Sequence, residues 1–167
     1  FRTINVKTLS FEDSSYIDNV SAPRCAYVGV GAFQHSGLVA SLNVEKYKEN
    51  NRIEAKKATG GLPRSIWETY SAFANTLGGV ILLGVEERED KSLHPVDLTD
   101  TDWLLTDFWE TINNPSKVSL NILTDKDVKV RISEGKRIIV INVPRAQRSE
   151  KPVYIEDNPF LGTYRRN

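Results

Sequence analysis

The stretch from Arg52 to Glu87 reads RIEAKKATGGLPRSIWETYSAFANTLGGVILLGVEE and predicts much of the fold. It begins with a charged extended segment, passes through a glycine-containing loop into an amphipathic helix, and ends in a continuous apolar run. An apolar run of this length is typical of a strand that is covered on both faces. The stretch therefore predicts a strand, a helix and a buried strand in succession.

The charged segment at the start of this stretch has two different faces. In extended residues 52–57, successive side chains point to opposite sides of the sheet. One face carries charges and the other is mostly apolar. The charged face comprises Arg52, Glu54 and Lys56, and the inner face comprises Ile53, Ala55 and Lys57.

Helical periodicity covers residues 64–77. Pro63 suits the first position of the helix, where its missing N–H is no loss. Gly78 and Gly79 end the helix, because glycine accepts the left-handed conformation that is common just past a helix end. The predicted apolar stripe comprises Ile66, Trp67, Tyr70, Phe73, Ala74 and Leu77.

The remaining pattern predicts an α+β fold, in which a mixed or antiparallel sheet packs with two main helices. Gly84 allows a bend or a close approach in the buried strand Val80–Val85. Thr99 or Thr101 caps the second helix, whose stripe is Leu104, Leu105, Phe108, Trp109 and Ile112. Other predicted strands are Cys25–Phe33, Leu93–Leu98, Val118–Thr124, Val128–Ile132, Arg137–Val143, Val153–Ile155 and Gly162–Arg166, with a helical turn at Asn43–Lys48 and a hairpin turn at Ser133–Lys136.

Length and composition indicate one globular domain. The chain has 167 residues and a formal net charge of zero. No apolar run approaches the ~20 residues of a membrane-spanning helix, and residues 1–19 lack the pattern of a signal peptide. We therefore expect no membrane association. The single Cys25 cannot form an internal disulfide, which suits a reducing compartment, so we expect a cytoplasmic protein.

Charge is unevenly distributed along the chain. Residues 46–64 hold six basic and two acidic residues, the segment from Arg145 onward is also basic, and residues 86–110 are strongly acidic. A fold that joins the two basic segments would have a basic face and an acidic back, although ordinary solvated charge explains the pattern equally well.

The basic segments predict a surface that contacts nucleic-acid phosphates, with Tyr154 and Tyr164 able to stack on bases. No predicted helix is rich in exposed Arg, Asn and Gln, so binding would follow shape and backbone rather than sequence. The predicted binding residues are Arg52, Lys56, Lys57, Arg64, Arg145, Arg148, Lys151, Tyr164, Arg165 and Arg166.

A second hypothesis is a catalytic metal site. Three converging carboxylates can hold Mg²⁺ or Mn²⁺, and a nearby lysine can stabilise charge on a phosphate. Alternatively, Glu54 pairs with Arg52, Lys56 or an arginine near the C-terminal end in a surface network. The metal ligands of the hypothesis are Glu49, Glu54 and Glu86 or Glu87, and Lys56 joins them as a catalytic residue.

Three markers resemble one family. They are AFANT at residues 72–76 followed by Gly78-Gly79, KPVY at 151–154, and TYRR at 163–166. With residues 52–87, they make the chain similar to the Schlafen-type AlbA_2 family over Val44–Asn167. The resemblance implies an AlbA_2-like domain at residues 42–167, preceded by an extension at residues 1–41. Within the first marker, Asn75 can bind backbone groups near the end of the helix, which is a structural role, and a direct ligand role for Asn75 is the alternative.

The resemblance also implies function. AlbA_2 members are usually described as DNA-binding domains of bacterial transcriptional regulators and helicase-related proteins, so DNA or RNA is the expected partner and no cofactor is expected. Some Schlafen proteins are metal-dependent endoribonucleases with three acidic positions. The residues that match these positions are Glu49, Glu54 and Glu86 or Glu87, and the third is a glutamate where aspartate is common. A protein-interaction or dimerisation domain is the remaining alternative, and a homo-oligomer and further C-terminal domains are expected as well.

Overall fold

A computed structural model describes residues 52–166. The predicted strand Cys25–Phe33, the turn at Asn43–Lys48, the extension at residues 1–41 and Glu49 lie outside this range. The elements are β1 (Ile53–Lys56), α1 (Ser65–Asn75), β2 (Gly79–Leu83), β3 (Val85–Glu87), β4 (Leu93–Pro95), α2 (Thr101–Ile112), β5 (Val128–Ser133) and β6 (Lys136–Val143), followed by a 3₁₀ turn at Arg148–Glu150.

A four-stranded mixed sheet has the strand order β1-β2-β6-β5. Helix α1 connects β1 to β2, which pair in parallel, whereas β6 is antiparallel to both β2 and β5. Strands β3 and β4 form a separate antiparallel hairpin. The arrangement confirms the predicted α+β class, with a mixed sheet and two main helices. Within residues 52–166, neither helix is long and apolar enough to cross a lipid bilayer.

The two faces of the sheet bury different clusters, because side chains alternate along each strand. The larger cluster includes Ile81, Leu83, Ile139 and Ile141 together with apolar residues of both helices. The smaller cluster contains Leu82, Val85, Leu93 and Ile138, with Ile53 and Ala55 packed against it. Residues Glu54 and Lys56 pair in register with Ile81 and Leu83, so they lie on the face that carries the helices.

The predicted strand Val80–Val85 divides at Gly84. This residue has φ +79°, and a Cβ at its position would lie 2.7 Å from the Cγ atom of Leu98. The chain therefore bends where only glycine fits, and β3 leaves the main sheet to pair with β4. The predicted bend or close approach at Gly84 is confirmed.

The boundaries of both helices differ slightly from the prediction. Helix α1 ends at Asn75, and the N–H of Gly78, at φ +76°, donates to the carbonyl of Phe73 at 2.9 Å. Leu77 thereby leaves the apolar stripe and is 60% exposed. At the other end, Pro63 lies in the turn that precedes α1. For α2, the cap is Asp100 rather than either threonine, since its carboxylate accepts from the N–H of Trp103 at 2.9 Å.

The predicted strand Val118–Thr124 is wrong. The segment has an isolated bridge from Val118 to Ile155 and is otherwise irregular. Tyr70 replaces strand pairing there, because its hydroxyl donates to the carbonyl of Leu120 at 3.0 Å and accepts from the N–H of Ile122 at 2.9 Å. Burial raises the pKa of Tyr70 to about 12.

Candidate functional site

Residues 151–166 fold back on themselves and are called here the tail hairpin. Its two arms meet at an antiparallel bridge between Tyr154 and Thr163, and Ile155 donates its N–H to the carbonyl of Gly162 at 3.0 Å. Neither arm forms one of the regular strands predicted at Val153–Ile155 and Gly162–Arg166. Isolated bridges and side-chain hydrogen bonds hold this segment instead of a continuous ladder.

Two buried polar residues of α1 fasten the tail hairpin. The side chain of Asn75 accepts from the N–H of Val153 at 2.9 Å and donates to the carbonyls of Val153 at 2.7 Å and Tyr164 at 3.1 Å. Ser71 donates to the carbonyl of Val153 at 2.8 Å and accepts from the N–H of Tyr164 at 3.0 Å. The predicted structural role of Asn75 is therefore specific, because it satisfies backbone groups of both arms.

Four basic residues gather beside this attachment and are called here the tail cluster: Arg145, Arg148, Lys151 and Arg165. The ammonium of Lys151 donates to the carbonyl of Asn75 at 2.8 Å, at the C-terminal end of α1. Partial burial and the nearby Arg145 and Arg165 cations lower the pKa of Lys151. Neighbouring like charges disfavour the protonated form, so this lysine lies in a positive local potential.

Three members of the tail cluster, Arg145, Arg148 and Lys151, line an open groove of about 580 Å³ together with Ala146 and Gln147. Within residues 52–166, Arg145, Arg148 and Arg165 form no ion pair with a carboxylate. All three are exposed. The cluster consequently presents uncompensated positive charge to solvent.

Other predicted binding residues have acidic partners. The Nζ atom of Lys56 lies 2.6 Å from Oε1 of Glu54, and the Nζ atom of Lys57 lies 3.2 Å from Oε1 of Glu86. Arg64 pairs with Glu156. Arg166 also pairs with Glu54. Arg52 is exposed in the turn before β1, and Tyr164 is partly buried in the tail hairpin. The two basic segments of the sequence thus meet, but their direct contacts are pairs of opposite charge.

Glu54 lies at the centre of a partly buried network. One of its carboxylate oxygens faces Lys56 and the other faces Arg166, with 13% of the Glu54 side chain exposed. The guanidinium of Arg166 also lies 5.1 Å from the ring centroid of Phe73, within the range of a cation–π contact. The alternative in which Glu54 pairs with Lys56 and an arginine near the C-terminal end therefore agrees with the geometry.

The carboxylates of the metal hypothesis are engaged with different cations. Glu54 contacts Lys56 and Arg166, Glu86 contacts Lys57, and Glu87 contacts Lys91. Among residues 52–166, no three His, Cys, Asp or Glu side chains are arranged to hold a metal ion. Because Glu49 lies outside this range, the three-carboxylate site stays a prediction.

Sequence reasoning missed two parts of this region. Ser71 resembled an ordinary helical serine, and its distance of 93 residues from Tyr164 hid the contact between them. Phe160 and Leu161 were not singled out, yet they are 92% and 79% exposed. The available signal was the sequence Asn158-Pro159-Phe160, which places two large apolar residues directly after a turn-forming pair.

Comparison with known proteins places this geometry in a family. The family model described as Schlafen, AlbA_2 matches residues 48–167. The chain belongs to the Schlafen AlbA_2 family. The matched range contains the charged strand, both helices, the sheet and the tail hairpin of this AlbA_2 chain.

One solved structure is similar over most of this AlbA_2 chain. It is the solution NMR structure of the N-terminal domain of a protein from Nitrosomonas europaea that is described as a "Putative ATP-dependent DNA Helicase RecG-related Protein". The identity is 30% and the TM-score is 0.57, with 74% of this chain and 83% of that chain covered. The DIP2311 protein from Corynebacterium diphtheriae gives 20% identity and a TM-score of 0.43, and the match covers 64% of this chain and 19% of that protein. The search of curated proteins gives no match.

Proposed function

We propose that this AlbA_2 domain binds DNA through the phosphate backbone, as part of a bacterial transcriptional regulator or helicase-related protein. The uncompensated charge of the tail cluster carries the proposal. Within residues 52–166, the three exposed arginines form no ion pair with a carboxylate, and burial together with the charges of Arg145 and Arg165 lowers the pKa of Lys151. The structural neighbour from Nitrosomonas europaea supports the same proposal, since its description relates it to a DNA helicase.

The chemistry of the tail cluster suits an extended polyanion rather than a single small anion. Arginine presents planar donors that match phosphate oxygens, and several such contacts along an open groove fit an extended polyanion. The groove is lined by residues 145–148 and Lys151 and is open to solvent, so it does not enclose a small ligand as a typical ligand pocket does. Binding by such contacts would be largely independent of base sequence.

Fluorescence anisotropy with a labelled DNA duplex over a series of salt concentrations tests the proposal. In the triple variant Arg145→Ala, Arg148→Ala and Arg165→Ala, we expect the slope of log K against log salt to fall by about one for each phosphate contact removed. Affinity should weaken to a similar degree for duplexes of unrelated sequence. The matched control is Lys117→Ala, Lys126→Ala and Lys129→Ala, which removes three exposed charges outside the tail cluster.

The two triple variants carry the same net charge, so a difference between them isolates position from overall charge. Equal loss of binding in both would contradict a role for the tail cluster. Absence of binding by the unmodified chain, even at low salt, would overturn the proposal and favour a protein-interaction domain. A labelled RNA duplex and a single strand of the same length, measured in parallel, identify the preferred nucleic acid.

Titration of Lys151 provides an independent prediction. We expect its pKa to lie below the usual lysine value in the free protein and to rise when duplex DNA is added, because a phosphate stabilises the ammonium form. Side-chain NMR of selectively labelled lysine measures this change. Lys129, which is exposed on β5, serves as the internal reference. An unchanged pKa at saturating DNA would place the phosphates elsewhere.

A further inference from the structure

The end of the tail hairpin exposes two large apolar side chains, Phe160 and Leu161, called here the tip. They are 92% and 79% exposed. The side-chain oxygen of Asn158 accepts from the N–H groups of both tip residues, at 3.1 Å and 3.0 Å. The N–H of Gly162 donates to the carbonyl of Asn158 at 2.7 Å. The tip is thus part of a turn that is closed by hydrogen bonds.

Backbone geometry around the tip has little freedom. Glu156 and Asp157 both adopt positive φ angles, of 58° and 50°, which are uncommon for residues other than glycine. A Cβ at Gly162 would lie 2.0 Å from the carbonyl oxygen of Ile155, so the turn closes only with glycine. Local strain of this kind persists where the surrounding structure holds a functional conformation.

The tip lies within reach of Arg165 of the tail cluster, because both belong to the tail hairpin. Arg165 follows Leu161 by four residues, so their Cα atoms are at most about 14 Å apart. The minor groove of duplex DNA, through which apolar wedges enter, is about 6 Å wide. Arg165 can therefore contact a phosphate at the edge of this groove while the tip reaches the base pairs inside it.

We infer that Phe160 and Leu161 form a wedge that inserts between stacked base pairs of the duplex held by the tail cluster. The inference rests on the proposed function and adds the way in which the duplex is engaged. Apolar wedges of phenylalanine and leucine unstack base steps in proteins that kink DNA. A two-residue tip presents far less surface than the roughly 800 Å² that each partner buries in a stable protein complex.

A duplex with 2-aminopurine at a central position tests the wedge, because unstacking of this base increases its fluorescence. We expect the unmodified chain to raise the fluorescence at saturating protein concentration. The double variant Phe160→Ala and Leu161→Ala should lose most of this rise while the slope of log K against log salt stays unchanged. Leu77→Ala is the matched control, since Leu77 is 60% exposed outside the tail hairpin.

Each outcome distinguishes the wedge from the proposed function. Salt-dependent binding without a fluorescence rise overturns the wedge and leaves the phosphate-binding proposal in place. Absence of binding overturns both. If the double variant instead converts a dimer to a monomer in sedimentation velocity, with the fluorescence rise unchanged, the tip is a contact between two copies of the chain and the wedge is wrong.

Discussion

Replacement of Asn75 by alanine is expected to lower the free energy of unfolding by about 3 kcal/mol, because three hydrogen bonds to the tail hairpin are lost. The N–H of Val153 and the carbonyl of Tyr164 would lose these side-chain partners next to a buried helix. Chemical denaturation monitored by tryptophan fluorescence measures the change. We also expect weaker DNA binding, since Asn75 aligns the arms that carry Lys151 and Arg165.

The control for this prediction is Asn142→Ala. Asn142 is exposed on β6, and within residues 52–166 its side chain forms no hydrogen bond, so the effect should stay within about 0.5 kcal/mol. Asn75→Asp extends the test, because a carboxylate keeps the acceptor for Val153 but repels the two carbonyls that the amide satisfies. If aspartate restored stability, the donor contacts of Asn75 would contribute little.

Replacement of Phe73 by alanine is expected to lower the free energy of unfolding by about 3–5 kcal/mol, through lost burial and the cavity that remains. The ring is fully buried, and a Cβ added at Gly79 would lie 2.7 Å from it, so the neighbouring backbone is already in close contact. Phe73 also supports the guanidinium of Arg166. Thermal and chemical denaturation of the variant measure the loss.

Phe160→Ala is a control of identical chemistry. Phe160 is 92% exposed, so its removal should change the free energy of unfolding by less than about 0.5 kcal/mol. A large loss of stability in this variant would mean that the tip packs against the protein. The Phe73 prediction would be contradicted by a change below about 1 kcal/mol, since buried phenylalanine truncations lie well above that value.

Sequence patterns predicted the elements whose neighbours are close along the chain. The run Val80–Val85 and the hairpin turn at Ser133–Lys136 were recognisable because apolar content and turn residues are local properties. The same reasoning misplaced Leu77, since Gly78 turns the chain one residue later and the helical stripe does not continue to that point. It also misread residues 118–124, where the backbone of Leu120 and Ile122 forms hydrogen bonds with the Tyr70 hydroxyl instead of pairing as a strand.

Predicting the site was harder, because it depends on which distant charges meet. All of the basic residues looked equivalent in the sequence. The structure pairs Lys57 with Glu86 and Arg166 with Glu54, whereas Arg145 and Arg165 share the surroundings of Lys151. No local pattern distinguishes these cases, since each depends on contacts between separate segments of the chain. Family markers indicated the tail but not the way in which Ser71 and Asn75 attach it.

The attachment of the tail hairpin to α1 has a consequence for the order in which the domain assembles. The contact between Ser71 and Tyr164 spans 93 residues, and at synthesis rates of roughly 5–20 residues per second this interval takes about 5–20 s. Synthesis of β1, α1 and β2 is complete at Leu83, early in this interval, and Asn75 then still has no partner from the tail hairpin. The surface that we propose for DNA binding therefore matures on the ribosome only after β1, α1 and β2.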